Sequence, residues 1–272
     1  MKSSITQFRG GMSAVRMAHC KAAAHALLGK LWVGAPDEID LVALAHKAGR
    51  LRIEDGGLDN AEGRIVAGLT GGTIRVKEGL NLGRRRFTIA HEIGHYILHP
   101  REGLDREDTA ANFTLWNDLG EETEANVFAA ELLMPEFLFK PRAAKGIPGL
   151  ALMDRLATEF STSVMATAFQ YVNYTLEQVA LVVSERGNIK WSVRSKDFSF
   201  PVRTGALSSD SAAGEIFAGK YSNTKKMERT PAYAWLPKFE YDSEPDIKED
   251  SRSLEWYDCI VSLLWLEDDL ND

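Results

Sequence analysis

The sequence predicts an α+β fold: a small sheet beside a buried helix, then a helix-turn-helix-like segment, then a C-terminal α+β domain. Three observations predict it. Short β-type runs, separated by Gly-Gly and Asp-Asn punctuation, precede residue 80. From Phe87 to Leu98 nearly every position outside a few polar ones is apolar or small, as in a helix buried almost all round. From Val179 onward the apolar pattern becomes that of strands.

In chain order, residues 12–30 are Ala-rich with a helical period, and residues 39–47 form a second helix ended by Gly49. Residues 51–54, 64–67 and 73–77 read as short strands, and the buried helix follows them. Residues 103–120 are acidic and weakly patterned, which reads as a loop or short helix over a cleft, a lid or a plain connector. A second patterned helix begins near Glu121, with Asn117 or Asp118 as caps, and is stopped by Pro135. Residues 156–172 have a helix-turn-helix outline, with Ala157, Phe160 and Ser163 at the expected places. Residues 179–184, 189–194 and 259–266 read as strands, with turns expected around Ser208, Gly214 and Pro231 between them. Trp191, Trp235, Trp256 and Trp265 fit a core, or less commonly a pocket lining.

Half of the six histidines lie between His91 and His99, and the run starts H-E-x-x-H. Histidines four apart share one helical face and can pinch one zinc ion. Glu92 is turned away from that face, where it does not ligate but can take a proton from an attacking water. Uncompensated histidine and glutamate in such an apolar helix are costly, and a cation is their natural partner. Gly94 weakens the helix by about 1 kcal/mol relative to Ala, which points to close approach of a neighbouring element.

A third ligand is needed. The pattern H-E-x-x-H-x-x-G-x-x-H is excluded, because Leu98 and Arg101 stand where Gly and His would be required. His99 extends the ligand face by a turn, but a turn rises about 5.4 Å, too far for the same ion. Contact with a ligand or substrate, or a helix C-cap, fits His99 better. On a wheel for the helix that follows, Glu122 shares a face with Asn126, Ala129 and Leu133, flanked by Ala125. The small alanines would let that helix approach His91. Glu122 is thus the favoured ligand, with Glu121 one residue away as the alternative. Asn126 is placed to hold Glu122 or an imidazole, while Glu124 and Glu131 fall on an expected wet face. Tyr96 points away from the ligands.

The stretch R-R-R-F-T-I-A-H-E-I-G-H-Y-I-L-H-P over residues 84–100, followed by E-T-E-A-N-V-F-A-A-E-L-L-M-P over 122–135, resembles the ImmA/IrrE metallo-endopeptidases. Residues 37–45 also resemble the short helix that opens their core. The resemblance spans roughly residues 35–175. It implies a zincin-like protease core with the first glutamate of E-x-E-A-N, here Glu122, as third zinc ligand. It also implies an endopeptidase that cuts a helix-turn-helix repressor to switch on stress or mobile-element genes. A non-cleaving module that sequesters such a repressor, or neutralises a toxin, is the alternative.

The resulting organisation is a helical extension over 1–34, the zincin-like core over 35–150, the helix-turn-helix-like segment over 151–177 and a C-terminal domain over 178–272. By analogy with the family that last domain can be sensor-like, and having no histidine it adds no imidazole to the site. With 272 residues, 44% hydrophobic and 26% charged, the chain has a globular composition. Cys20 and Cys259 suggest neither a disulfide framework nor a metal cluster. No run is long enough for a membrane span, and none resembles a secretory leader, so a cytoplasmic protein is expected. A net charge of −7, with no Lys or Arg between Arg155 and Arg186, argues against DNA as a partner.

Overall fold

The computed structural model describes residues 12–100, 103–108, 120–224, 226–238, 246–254 and 258–267. The chain forms two compact units, Met1–Pro135 and Glu136–Asp272. No helix among the described residues is long and apolar enough to cross a membrane.

In the first unit, α1 (Ala14–Leu28) is capped by the Ser13 side chain, and α2 (Leu41–Gly49) by Asp40, which accepts from two backbone amides. Strands β1 (Leu51–Gly56), β2 (Gly63–Gly68) and β3 (Gly71–Lys77) lead to α3 (Leu82–Leu98), capped by Asn81. Strand β4 (Leu104–Asp108) and helix α4 (Glu121–Leu133) complete the unit. The sheet order is β1-β3-β2-β4; β1 and β3 are parallel and the other pairs antiparallel. Ile65, Ala67, Ile74, Val76 and Leu104 are buried. Helix α3 packs on β2 and β3, and also against α4.

Four sequence expectations change here. Residues 104–108, expected as loop or short helix, are the edge strand β4; the rest of that expectation, over 109–119, lies outside the described residues. The caps proposed at Asn117 and Asp118 lie there too, and Gly120 occupies the N-cap of α4 with no side-chain bond. The face of α4 expected to be wet is covered by α1. Glu131 is fully buried with His25 at 2.6 Å, and Glu124 is 8% exposed and ion-paired with Arg16. A wheel on one helix cannot show that a second helix supplies the polar partners. Gly214 is not in a turn but inside α8 (Ala212–Phe217).

The second unit holds α5 (Glu136–Ala143), α6 (Leu150–Phe160) and α7 (Val164–Tyr174), then a sheet ordered β7-β6-β5-β10-β9-β8. Its strands are β5 (Gln178–Glu185), β6 (Asn188–Arg194), β7 (Gly205–Ala206), β8 (Glu228–Pro231), β9 (Asp246–Leu254) and β10 (Cys259–Leu266). All its pairings are antiparallel. The compact units part at Pro135, whereas the sequence reading ends the zincin-like core at residue 150. Helices α5 to α7 pack on one another, and α7 packs on β5 and β6. Trp191 and Trp235 are core residues, and Trp256 lies outside the described residues.

Candidate metal centre

Helix α3 brings the site together. His91, Glu92 and His95 are each fully buried. The His91 and His95 Nε2 atoms face one another at 2.9 Å. Helix α4 can come this close because of Gly94: a Cβ there would lie 3.1 Å from Phe128 Cδ1 and 3.2 Å from Ala125 Cα. Glu122, in the first turn of α4, places one carboxylate oxygen 3.4 Å from His91 Nε2 and the other 3.7 Å from His95 Nε2. Asp108, the last residue of β4, brings Oδ2 to 3.7 Å from each Nε2. Ligand atoms of His91, His95, Asp108 and Glu122 all lie within 4.8 Å of one another, a possible metal-binding cluster.

The outer nitrogens of both imidazoles are held. His91 Nδ1 lies 2.9 Å from Asn126 Oδ1, an amide oxygen that can only accept, so Nδ1 carries the proton and Nε2 presents a lone pair. His95 Nδ1 is 3.2 Å from His99 Nδ1, and His99 Nε2 is 2.9 Å from Glu124 Oε2. His99 thus stands at the C-cap of α3 and joins His95 to Glu124. Burial lowers the His91 pKa to about 4, against opposing pulls from Asp108 and Asn126, and lowers that of His95 further. Both rings are neutral at physiological pH, the form that binds a metal.

Glu92 lies beside this cluster. Neither of its oxygens accepts a hydrogen bond of good geometry among the described residues. Burial, and then the charge of neighbouring Asp108, raise its pKa well above the carboxylate range, and Asp108 is close enough to share its proton. Gly63 of β2 makes room for it, since a Cβ there would stand 2.4 Å from Glu92 Oε1.

Arg106, two residues before Asp108 on β4, pairs with Glu122, with Glu121 at 2.7 Å and with Asp108 Oδ1 at 3.5 Å. Glu121, the alternative ligand, is half exposed and engaged with this guanidinium. Sequence reasoning missed Arg106 and Asp108. The signal was the alternation Leu104-x-Arg106-x-Asp108, which puts those three on one face of a strand.

The donor set fits zinc. Two imidazole nitrogens and carboxylate oxygens are its usual ligands. In their ionised forms Glu92, Asp108 and Glu122 set three negative charges against one guanidinium, an imbalance that a divalent cation offsets.

A buried helix offering an imidazole pair, with carboxylates supplied by an edge strand and a second helix, defines a candidate metal centre. Residues 47–171 match the Peptidase M78 family, described as an IrrE N-terminal-like domain, in keeping with the ImmA/IrrE resemblance of the sequence. The chain is also similar to an uncharacterized immunity region protein 2 of Bacillus phage phi105, 38% identical over 65 residues. That match takes in 24% of this chain and 39% of the phage protein, so well under half of that relative is spanned. Among solved structures, a Mycobacterium tuberculosis transcriptional regulator is similar in fold, with a TM-score of 0.60 at 16% identity, over 94% of this chain and 78% of that one.

Proposed function

We propose that the chain is a zinc-dependent endopeptidase that cuts a helix-turn-helix repressor. The observation that carries the hydrolytic part is Glu92: a fully buried carboxylate with a raised pKa beside two neutral imidazoles. Mere binding of a partner has no need of such a base. The substrate class rests on the family resemblance and on the immunity-region designation of the phage relative.

His91, His95 and Glu122 would hold the ion, with Asn126 and His99 fixing the imidazole tautomers. Zinc bound there would supply Lewis-acid activation of a peptide carbonyl and of water. Glu92, fully buried beside the imidazole pair, would take the proton of the attacking water and pass it to the leaving amine. Arg106 holds Glu122 and Asp108 in place.

The test mixes the protein, zinc and a helix-turn-helix repressor taken from the neighbouring genes, and follows the repressor by mass spectrometry. A single cut, abolished by a chelator and by Glu92→Gln, is expected. An intact repressor in a stable complex, indifferent to Glu92→Gln, would instead make this a sequestering module.

A further inference from the structure

Asp108 has no role in the three-ligand reading, yet its placement equals that of Glu122. Its Oδ2 is 3.7 Å from both Nε2 atoms, whereas the Glu122 oxygens are at 3.4 and 3.7 Å. Ligands about 2.0–2.1 Å from a tetrahedral zinc stand about 3.3–3.4 Å apart, so both carboxylates lie near the separation that shared coordination requires. The position is built rather than incidental. Asp108 is fully buried, opposite Gly63 in the β2–β4 register, and its carbonyl accepts from the Glu62 amide at 2.8 Å. Arg106 approaches Oδ1, leaving Oδ2 as the oxygen turned to the imidazoles.

We propose that Asp108 is a fourth protein ligand, so that the resting centre is closed and water or substrate enters only by displacing its carboxylate. A catalytic zinc site usually keeps one position open. Here that position would be occupied by a side chain at the end of an edge strand, and activity would follow the release of Asp108. This rests on the metal-centre reading above.

Cobalt(II) reports the outcome without any substrate. The full-length chain, stripped of metal and reloaded with cobalt(II), is titrated with azide while its visible absorption is recorded. Wild type should give an intense four-coordinate spectrum indifferent to azide. Asp108→Asn should keep cobalt at lower affinity, by at least about tenfold, and its spectrum should respond to azide. Affinity alone would also fall if Asp108 merely oriented a ligand, so azide access is the deciding readout. Asp108→Ala, checked for folding by circular dichroism, guards against an asparagine oxygen that still ligates. Equal azide responses in wild type and both variants would overturn the closed site while leaving the three-ligand centre standing. A wild-type chain that takes up neither cobalt nor zinc would overturn the metal reading itself.

Discussion

His91 Nδ1 donates to Asn126 Oδ1 at 2.9 Å, a bond across two helices that fixes which nitrogen faces the candidate metal centre. Asn126→Leu should therefore weaken metal binding by about 10–100-fold and cost about 1–3 kcal/mol of stability, because it leaves the buried N–H of His91 without this acceptor. Competition with a chelator measures the first and a denaturant melt the second. Unchanged affinity would mean that the tautomer is set by something other than Asn126.

Gly94→Ala tests the helix contact on which the site depends. Alanine favours an isolated helix by about 1 kcal/mol, so propensity alone predicts stabilisation. The new Cβ, however, would meet Ala125 Cα at 3.2 Å and Ala125 O at 3.3 Å, backbone atoms that cannot swing aside. Overpacking of that kind costs about 1–3 kcal/mol, and a lowered melting temperature with weakened metal binding is expected. A raised melting temperature would show that α3 and α4 are less tightly apposed.

What was legible in the sequence follows from how local the signal is. Helices α3 and α4 announce themselves by composition, and the period of β1 to β3 and of β5, β6 and β10 is carried by apolar residues. Strand β9 was invisible because its interior is polar. Its Glu249 is fully buried, accepting from the amides of Ala212 and Ala213, the hydroxyls of Thr230 and Ser251 and the indole of Trp235. All of these donors but Ser251 are 14 or more residues away in sequence, so the residues around Glu249 do not reveal that it is satisfied. Asp108 and Arg106 escaped for a related reason. A five-residue strand with four charges reads as solvent-facing until the sheet and α3 close over it.

The two glutamates of the E-x-E-A-N run should separate by degree. Glu122→Ala removes a carboxylate within 3.4 and 3.7 Å of the imidazole pair, and zinc affinity should fall by well over tenfold. Glu124→Ala removes the anchor of His99, which holds His95, so affinity should fall by about tenfold but not vanish. Metal analysis after dialysis against weak chelator ranks the two. Complete loss in Glu124→Ala with full retention in Glu122→Ala would reverse the assignment.

Metal-free protein should become more stable as pH rises from about 5 to about 6. Burial holds His91 at about 4 and His95 lower still, against about 6.5 in the unfolded chain. Through that window the unfolded state takes up protons that the folded imidazoles refuse. Glu92 works the other way: with its pKa raised, it keeps a proton in the folded state that the unfolded chain has already released, a stabilisation lost as pH climbs through the folded value. Two imidazoles outweigh one carboxyl, so the net slope is positive, on the order of 1 kcal/mol per pH unit. Urea melts with EDTA at pH 5 and 6 measure the slope, and Glu92→Gln should steepen it. A slope of opposite sign would mean that the imidazoles are not held neutral in the fold.

The helix-turn-helix-like pair should not bind DNA. Helices α6 and α7 do form, joined by a turn in which Ser161 takes a left-handed conformation (φ 52°). Yet α7, the one that would enter a groove, buries Met165, Ala166, Thr167, Ala168, Phe169, Gln170, Tyr171 and Val172 in succession. It carries neither Lys nor Arg, so it offers phosphates no charge and bases no free face. A phosphate-reading protein with 6–10 contacts loses about 10³–10⁵ in affinity between 50 and 200 mM salt. Fluorescence anisotropy with a labelled duplex should instead show weak binding at 50 mM that hardly changes on adding salt. Tight binding with a steep salt dependence would require a basic surface elsewhere on the chain, and would make DNA rather than a repressor the partner to pursue.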